Sequence, residues 1–244
     1  MHMSKKVRIL GIIPARGGSK SIPFKNIALL NGKPLISYAI KAAQESKLLD
    51  ALIISTDDEK IKKVAEEYGA DVPFLRPKKY AQDMSRDIEY LQHALTWLEK
   101  QRGWTPEIVV MLQPTTPWRT GKDIDDVVKF MLESGADSVR TMIDPGHYNP
   151  FKMWVEVDAK TKKIVPMLRL TSKYRKLGSD VPRQLLPTYY LPFGLVYVTK
   201  SKFIKKGRVL GNDVKPYLID PKRLTDIDSP EDLLDAARLI SKLQ

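Results

Sequence analysis

Cysteine is absent from this 244-residue chain, and histidine is scarce, with only His2, His93 and His147. The first absence removes disulfides, thiolate nucleophiles and cysteine-built zinc sites. The second argues against a multi-histidine metal centre, so any bound metal should be a hard cation held by carboxylates. No run approaches about eighteen consecutive apolar residues, so no membrane span is expected. Val7–Ile13 is too short for the core of a signal peptide and is better used as a strand. A cytoplasmic chain is the expectation. Two glycine fingerprints are also missing. Without G-x-x-x-x-G-K-[ST] there is no P-loop, and without G-x-G-x-x-G a dehydrogenase is a poor reading. There is no internal repeat and no low-complexity segment.

Forty-three per cent of the residues are apolar, enough to bury one large α/β core. Forty-one basic residues against 29 acidic ones give a net charge of +12, a field that favours polyanions or small phosphorylated and carboxylated substrates. The basic residues are densest at Lys160–Lys176 and Lys200–Arg208, without a nucleic-acid-binding signature. A solvated basic surface is the simpler account, and neither nucleic acid nor membrane is an expected partner.

Strand-like and helix-like periods alternate through the first 140 residues. Val7–Ile13, Ala51–Ser55, Ile108–Leu112 and Ser138–Met142 read as strands. Pro34–Glu45, Asp58–Tyr68, Asp87–Gln101 and Asp123–Glu133 read as helices, and Val72–Leu75 as a short extended piece. This order predicts an α/β fold, a doubly wound and mainly parallel sheet. Ligands of such sheets sit beyond the carboxyl ends of the strands, where Pro14–Lys25, Thr56–Asp58 and Gln113–Thr120 should gather. After Asp144 the pattern breaks. Lys152–Val157 and Lys163–Leu168 read as a hairpin, prolines follow, and a strand returns at Leu195–Val198. Residues 1–244 are therefore read as a single domain with an excursion over 144–192. Ser229 and Pro230, followed by acids, open a last helix.

Three segments carry chemistry. Ile13–Asn26 is a strand end that empties into a small-residue loop, Ala15, Arg16, Gly17, Gly18, Ser19 and Lys20, followed by Lys25 and Asn26. Backbone N–H groups flanked by cations suit a polyphosphate, and a solvated basic turn is the bland alternative. Asp226 and Asp228 alternate about Ile227, which puts both carboxylates on one face of an extended chain. That pair suits Mg²⁺, but acids before a helix N-terminus are favourable without any metal. Gln113–Arg119 is a proline-bracketed loop that can continue neither strand nor helix.

Together these segments resemble the acylneuraminate cytidylyltransferases, the CMP-sialic-acid synthetase family. A-R-G-G-S-K followed by K-N is similar to its nucleotide loop, Q-P-T-T-P-W-R to its acceptor motif, and D-I-D-S-P-E-D-L to its metal motif. Arg76-Pro77 and the stretch Asp83–Asp87 resemble its base and ribose segment. The likeness runs from about Val7 to Leu239.

It implies a Rossmann-like nucleotidyltransferase fold whose excursion serves dimerisation. It also implies transfer of CMP from CTP to a 2-keto-3-deoxy sugar acid of N-acylneuraminate type, with pyrophosphate released. Arg16, Lys20, Asp226 and Asp228 would be catalytic, the aspartates as Mg²⁺ ligands. Ala15–Lys20, Lys25, Asn26, Arg76 and Ser85 would bind the nucleotide. Gln113, Thr115, Lys152, Arg183 and Tyr197 would face the sugar, and a homodimer is expected. One departure stands out: Phe193 precedes Gly194 where many members carry asparagine. It leaves pseudaminate, legionaminate or KDO as alternative acceptors. A non-catalytic sugar-phosphate or nucleic-acid binding module is a competitor of another class.

Overall fold

The computed structural model describes residues 7–146, 149–167, 182–221 and 225–243. His147 lies outside them. The chain forms two compact units, Met1–Thr141 with Phe193–Gln244, and Met142–Pro192.

The first unit is built on a six-stranded sheet. Its strands are β1 (Ile9–Pro14), β4 (Ala51–Ser55), β5 (Ile108–Met111), β6 (Ser138–Ile143), β9 (Leu191–Lys200) and β10 (Val214–Leu218). They lie in the order β10-β6-β9-β5-β1-β4. β1 pairs in parallel with β4 on one side and β5 on the other, whereas β5 and β9 are antiparallel. The extended piece 71–75 adds two parallel bridges beyond β4, Ile53 to Asp71 and Thr56 to Leu75.

The strand alternation sorts the core into two layers. Ile9 and Ile13 pack with α1 (Leu35–Glu45), α2 (Glu59–Glu67) and α4 (Gly121–Ser134). Leu10 and Ile12 point the other way, toward α3 (Asp87–Arg102) and the short α5 (Ser201–Lys205). Period-two side chains between two helical faces are what a doubly wound sheet requires. Ile12 is fully buried; truncating such a residue to alanine costs about 2–5 kcal/mol.

The helix boundaries follow local chemistry. Asp58 caps α2 by accepting from the amides of Lys60 (2.8 Å) and Ile61 (3.1 Å). Gly69, at φ +75°, follows the end of α2 in the left-handed conformation that ends many helices. The last helix, α6 (Pro230–Leu243), starts with a reciprocal cap: Ser229 Oγ accepts from the Asp232 amide, and the Asp232 carboxylate accepts from the Ser229 amide.

Four elements go beyond the sequence expectation. β2 (Leu29–Leu30) and β3 (Lys33–Pro34) form a small antiparallel hairpin over Asn31 and Gly32, both at positive φ. α5 lies inside the basic stretch read only as charge, and β10 follows it. β9 begins four residues earlier than the expected strand.

The second unit carries the expected hairpin, β7 (Trp154–Asp158) against β8 (Lys163–Pro166), antiparallel with a bulge between Glu156 and Asp158. The Asp158 carboxylate holds its turn by accepting from the amides of Lys160 and Thr161. Trp154, Val157 and Ile164 are exposed on it. Among the described residues no helix is long and apolar enough to cross a membrane.

Candidate active site

From β4 the chain crosses to β5 on the far side of β1, so the carboxyl ends of β1 and β5 diverge into a crevice. A cavity of about 500 Å³ opens there, lined by Pro14 at the end of β1 and by Gln113, Pro114 and Thr115 after β5. Arg16, Lys25, Asn26, Arg76, Ser85, Asp226 and Asp228 line it too. A second hollow of about 460 Å³ shares Arg16, Lys25, Asn26 and Asp228 and adds Ser19 and Lys20.

The loop after β1 is tied down at several points. The Ala15 amide donates to the Ser55 carbonyl at 3.0 Å. The buried Asn26 amide donates to the Arg16 carbonyl at 2.9 Å, stapling one end of the loop to the other. Gly17 N–H donates to the Asp57 carboxylate at 3.0 Å, and Ser19 N–H to the Gly17 carbonyl. Gly17 is glycine because a Cβ there would stand 2.9 Å from the Cβ of Asp58, at the start of α2. A Cβ on Gly18 would meet nothing within 4 Å, so Gly18 is not required by packing. Two of the amides expected to face a phosphate are thus engaged within the chain, and the cationic side chains carry more of the loop's potential.

Ile227 is fully buried, and its N–H donates to the Thr115 carbonyl at 2.9 Å. That anchor turns Asp226 and Asp228 together into the cavity. Burial raises the Asp226 carboxyl above its ordinary 3.8; the Thr115 hydroxyl and Lys25 oppose the shift, and Asp228 adds to it. Asp228 accepts from Lys25 Nζ at 2.7 Å. Lys25 therefore pairs with one of the two acids as well as facing the cavity.

Arg76 is buried, with Nε donating to Ser55 Oγ at 3.1 Å, Nη2 to the Ser55 carbonyl and Nη1 to the Tyr80 carbonyl. Its guanidinium lies 5.2 Å from the centre of the Tyr90 ring. Burial lowers its pKa, while Asp57 and Asp87 pull in the opposite direction. Three of its five donors are used, which leaves capacity at the cavity face. Ser85 Oγ donates to the Lys79 carbonyl and accepts from the Gln82 amide, shaping the turn before α3.

Gln113 packs against Gly194, where a Cβ would stand 2.4 Å from Gln113 Oε1. Behind it lies Arg119, buried, with Nε on the Leu195 carbonyl and Nη2 on the carbonyls of Gln113 (2.8 Å) and Gly194 (3.2 Å) and on Thr116 Oγ1. Burial pushes its pKa down to about 9.

Tyr197 does not line the cavity. It packs beside the α3 layer, with the Arg140 guanidinium 4.1 Å from its ring centre. Phe193 packs against the layer of α1 and α4, and its carbonyl accepts from Thr141 Oγ1. Lys152 lies in the second unit, as does Arg183, whose side chain is outside the described residues. Sequence reasoning placed Asp83 and Asp87 in the base and ribose segment and Arg119 in the acceptor motif without an individual role, and it passed no judgement on Tyr90. Asp83, Asp87 and Tyr90 line the cavity. A signal existed for Asp83, an acid within a segment already matched to a nucleotide site.

Fold and site together define an α/β enzyme that handles nucleotides, with cations at one end of a crevice and a carboxylate pair beside them. Residues 10–162 match the family model described as Cytidylyltransferase, and the chain belongs to that family of nucleotidyltransferases. It is 32% identical over 228 residues to CMP-N,N'-diacetyllegionaminic acid synthase of Legionella pneumophila, spanning 93% of each chain. It is 29% identical over 236 residues to N-acylneuraminate cytidylyltransferase of Escherichia coli, covering 93% of this chain and 51% of that one. A similar fold, at a TM-score of 0.69 and 15% identity, occurs in CMP:2-keto-3-deoxy-manno-octonic acid synthetase, solved in complex with CTP; 97% of this chain and 100% of that one are covered. These likenesses indicate a nucleotidyltransferase enzyme.

Proposed function

We propose that this enzyme transfers CMP from CTP to the anomeric hydroxyl of a 2-keto-3-deoxy sugar acid of N-acylneuraminate type, releasing pyrophosphate. One observation carries the reading: a single cavity brings together Arg16 and Lys25, the buried Arg76, the Gln113–Thr115 loop and the carboxylates of Asp226 and Asp228. A new O–P bond forms at the α-phosphorus as the bond to the β-phosphate oxygen breaks, and the hydroxyl proton is lost to water. Arg16 and Lys20 stand where they can hold the negative charge that grows on the departing phosphates. Arg76 can donate to the O2 and N3 acceptors of cytosine, and Ser85 shapes the ribose side. Gln113 and Thr115 offer amide and hydroxyl groups to the acceptor. The resemblance implies that Lys152 and Arg183 meet the acid's carboxylate or the triphosphate.

Asp226 and Asp228 suit Mg²⁺. Both are oxygen donors on one face of the chain, and burial together with the neighbouring Asp228 disfavours the charge on Asp226, a cost that a cation would relieve. Bound there, the ion would neutralise phosphate charge and acidify the attacking hydroxyl. Phe193 favours a second reading of the acceptor alone, in which the acid is pseudaminate, legionaminate or KDO, because phenylalanine offers no amide to sugar hydroxyls. The exposed Trp154, Val157 and Ile164 support a homodimer built through the hairpin, and the cysteine-free composition suits the cytoplasm.

Pyrophosphate release, screened across the four nucleoside triphosphates and a panel of keto-sugar acids, tests the proposal. Release with CTP and a nine-carbon acid is expected; release with UTP or GTP but not CTP would overturn the base assignment. Asp228→Ala should abolish Mg²⁺-dependent turnover without unfolding the chain, since this side chain is 71% exposed. A retained rate would remove the metal role.

A further inference from the structure

Asp83 touches two of the cations that the proposed reaction needs. Its Oδ1 accepts from Arg16 Nη1 at 3.1 Å, and its Oδ2 lies 2.6 Å from Lys20 Nζ. One carboxylate with its two oxygens on two cations reproduces the bite of a phosphate group. The turn that presents it is braced from within the segment. Gln82 Nε2 donates to the Lys78 carbonyl at 2.7 Å, and Ser85 Oγ bridges Lys79 and the Gln82 amide. The Gln82 carbonyl also accepts from Arg16 Nη1 at 3.0 Å. The hydrogen bond from Lys20, followed by the charge and hydrogen bond of Arg16, holds the Asp83 carboxyl below its ordinary 3.8, so it is charged at neutral pH.

We propose that Asp83 is an internal competitor for the phosphate subsite, a specificity-determining residue that a polyphosphate must displace from Arg16 and Lys20. The inference rests on the cytidylyltransferase reading of the cavity. Pyrophosphate and the outer phosphates of CTP carry enough charge, far enough from the nucleoside, to take both cations. The single phosphate of CMP does not reach them. Asp83 thus discriminates by reach and charge, and it reclaims the two cations as pyrophosphate departs. Both ion pairs are partly solvated, with Lys20 80% exposed, so each is weak enough to exchange.

The test is calorimetric titration of Mg²⁺-pyrophosphate, CTP and CMP into the wild type, Asp83→Asn and Asp83→Ala. The variants should bind pyrophosphate and CTP about three- to tenfold more tightly, the range expected for two partly exposed ion pairs. CMP should change by less than about twofold, and inhibition by pyrophosphate should strengthen in parallel. Unchanged or weaker pyrophosphate binding would overturn the proposal. So would an equal gain for CMP, which would reveal only a change in overall field. A wild type that binds pyrophosphate but not CTP would refute the cytidylyl reading, while the pyrophosphate comparison would still decide the role of Asp83.

Discussion

Replacing Arg119 tests how a buried charge holds the loop that follows β5. Its guanidinium binds the carbonyls of Leu195, Gln113 and Gly194 and the Thr116 hydroxyl. Hydrogen bonds from a charged donor contribute about 1.5–3 kcal/mol each. Against them stands the cost of burying the charge, which depresses the pKa to about 9 although Asp123 and Asp226 partly offset it. Arg119→Lys keeps that buried charge but loses the planar fork and about two of the four bonds, a loss of roughly 3–5 kcal/mol. Arg119→Met loses all four bonds and also removes the burial cost, so its net loss should be smaller, about 2–3 kcal/mol. Thr116 still donates toward the Gly194 carbonyl in either variant. At about 2–4 °C per kcal/mol for a domain of this size, lysine should lower the melting temperature by roughly 6–20 °C and methionine by about half as much. Scanning calorimetry of both variants measures the order. If methionine is the more damaging by over about 1 kcal/mol, the fork's bonds outweigh the buried charge and the reasoning fails.

Two further outcomes follow from geometry and charge. Gly194→Ala places a Cβ 2.4 Å from Gln113 Oε1, the tip of a flexible side chain. The fold should survive while kcat/KM for the sugar acid falls about 10- to 100-fold with the KM for CTP unchanged; an unchanged acceptor profile would remove Gln113 from the site. Asp226 has a carboxyl raised above 3.8 by burial, so its ionised form is disfavoured in the folded chain. That cost is present above the folded pKa and disappears as pH falls below 3.8. Asp226→Asn should therefore melt higher than the wild type at pH 7 in EDTA, with the gain gone near pH 3.5. A variant that melts lower at pH 7 would contradict the sign.

The parts legible in the sequence were those with local causes. Ala51–Ser55 is a strand with the bounds expected, and Asp58 and Gly69 mark the ends of α2, because apolar runs, caps and left-handed glycines act within a few residues. Asn31-Gly32 is a legible hairpin turn, but its two-residue strands give no periodic signal. α5 was hidden by its lysines, although Phe203 and Ile204 are buried beneath them. In the site, residue types pointed to the loop, the aspartate pair and Arg76. They could not show that Lys25 reaches an acid 203 positions away, or that Asp83 spans two cations, since both depend on how strands from distant segments meet. Tyr197 sits on a strand whose alternation turns it toward the α3 layer, a matter of register that a motif does not carry.

The end of β4 has a wider consequence. The Ser55 carbonyl receives both the amide of Ala15 and the guanidinium of Arg76. The Thr56 carbonyl receives the amide of Arg76, and the Asp57 carboxylate receives that of Gly17. Three consecutive residues thus fix the loop after β1 and the proposed base contact to one strand end. The span between them is set by the end of one strand, through backbone carbonyls and the Asp57 carboxylate. A shift of this strand end would carry both groups with it, because each is bonded within the same three residues.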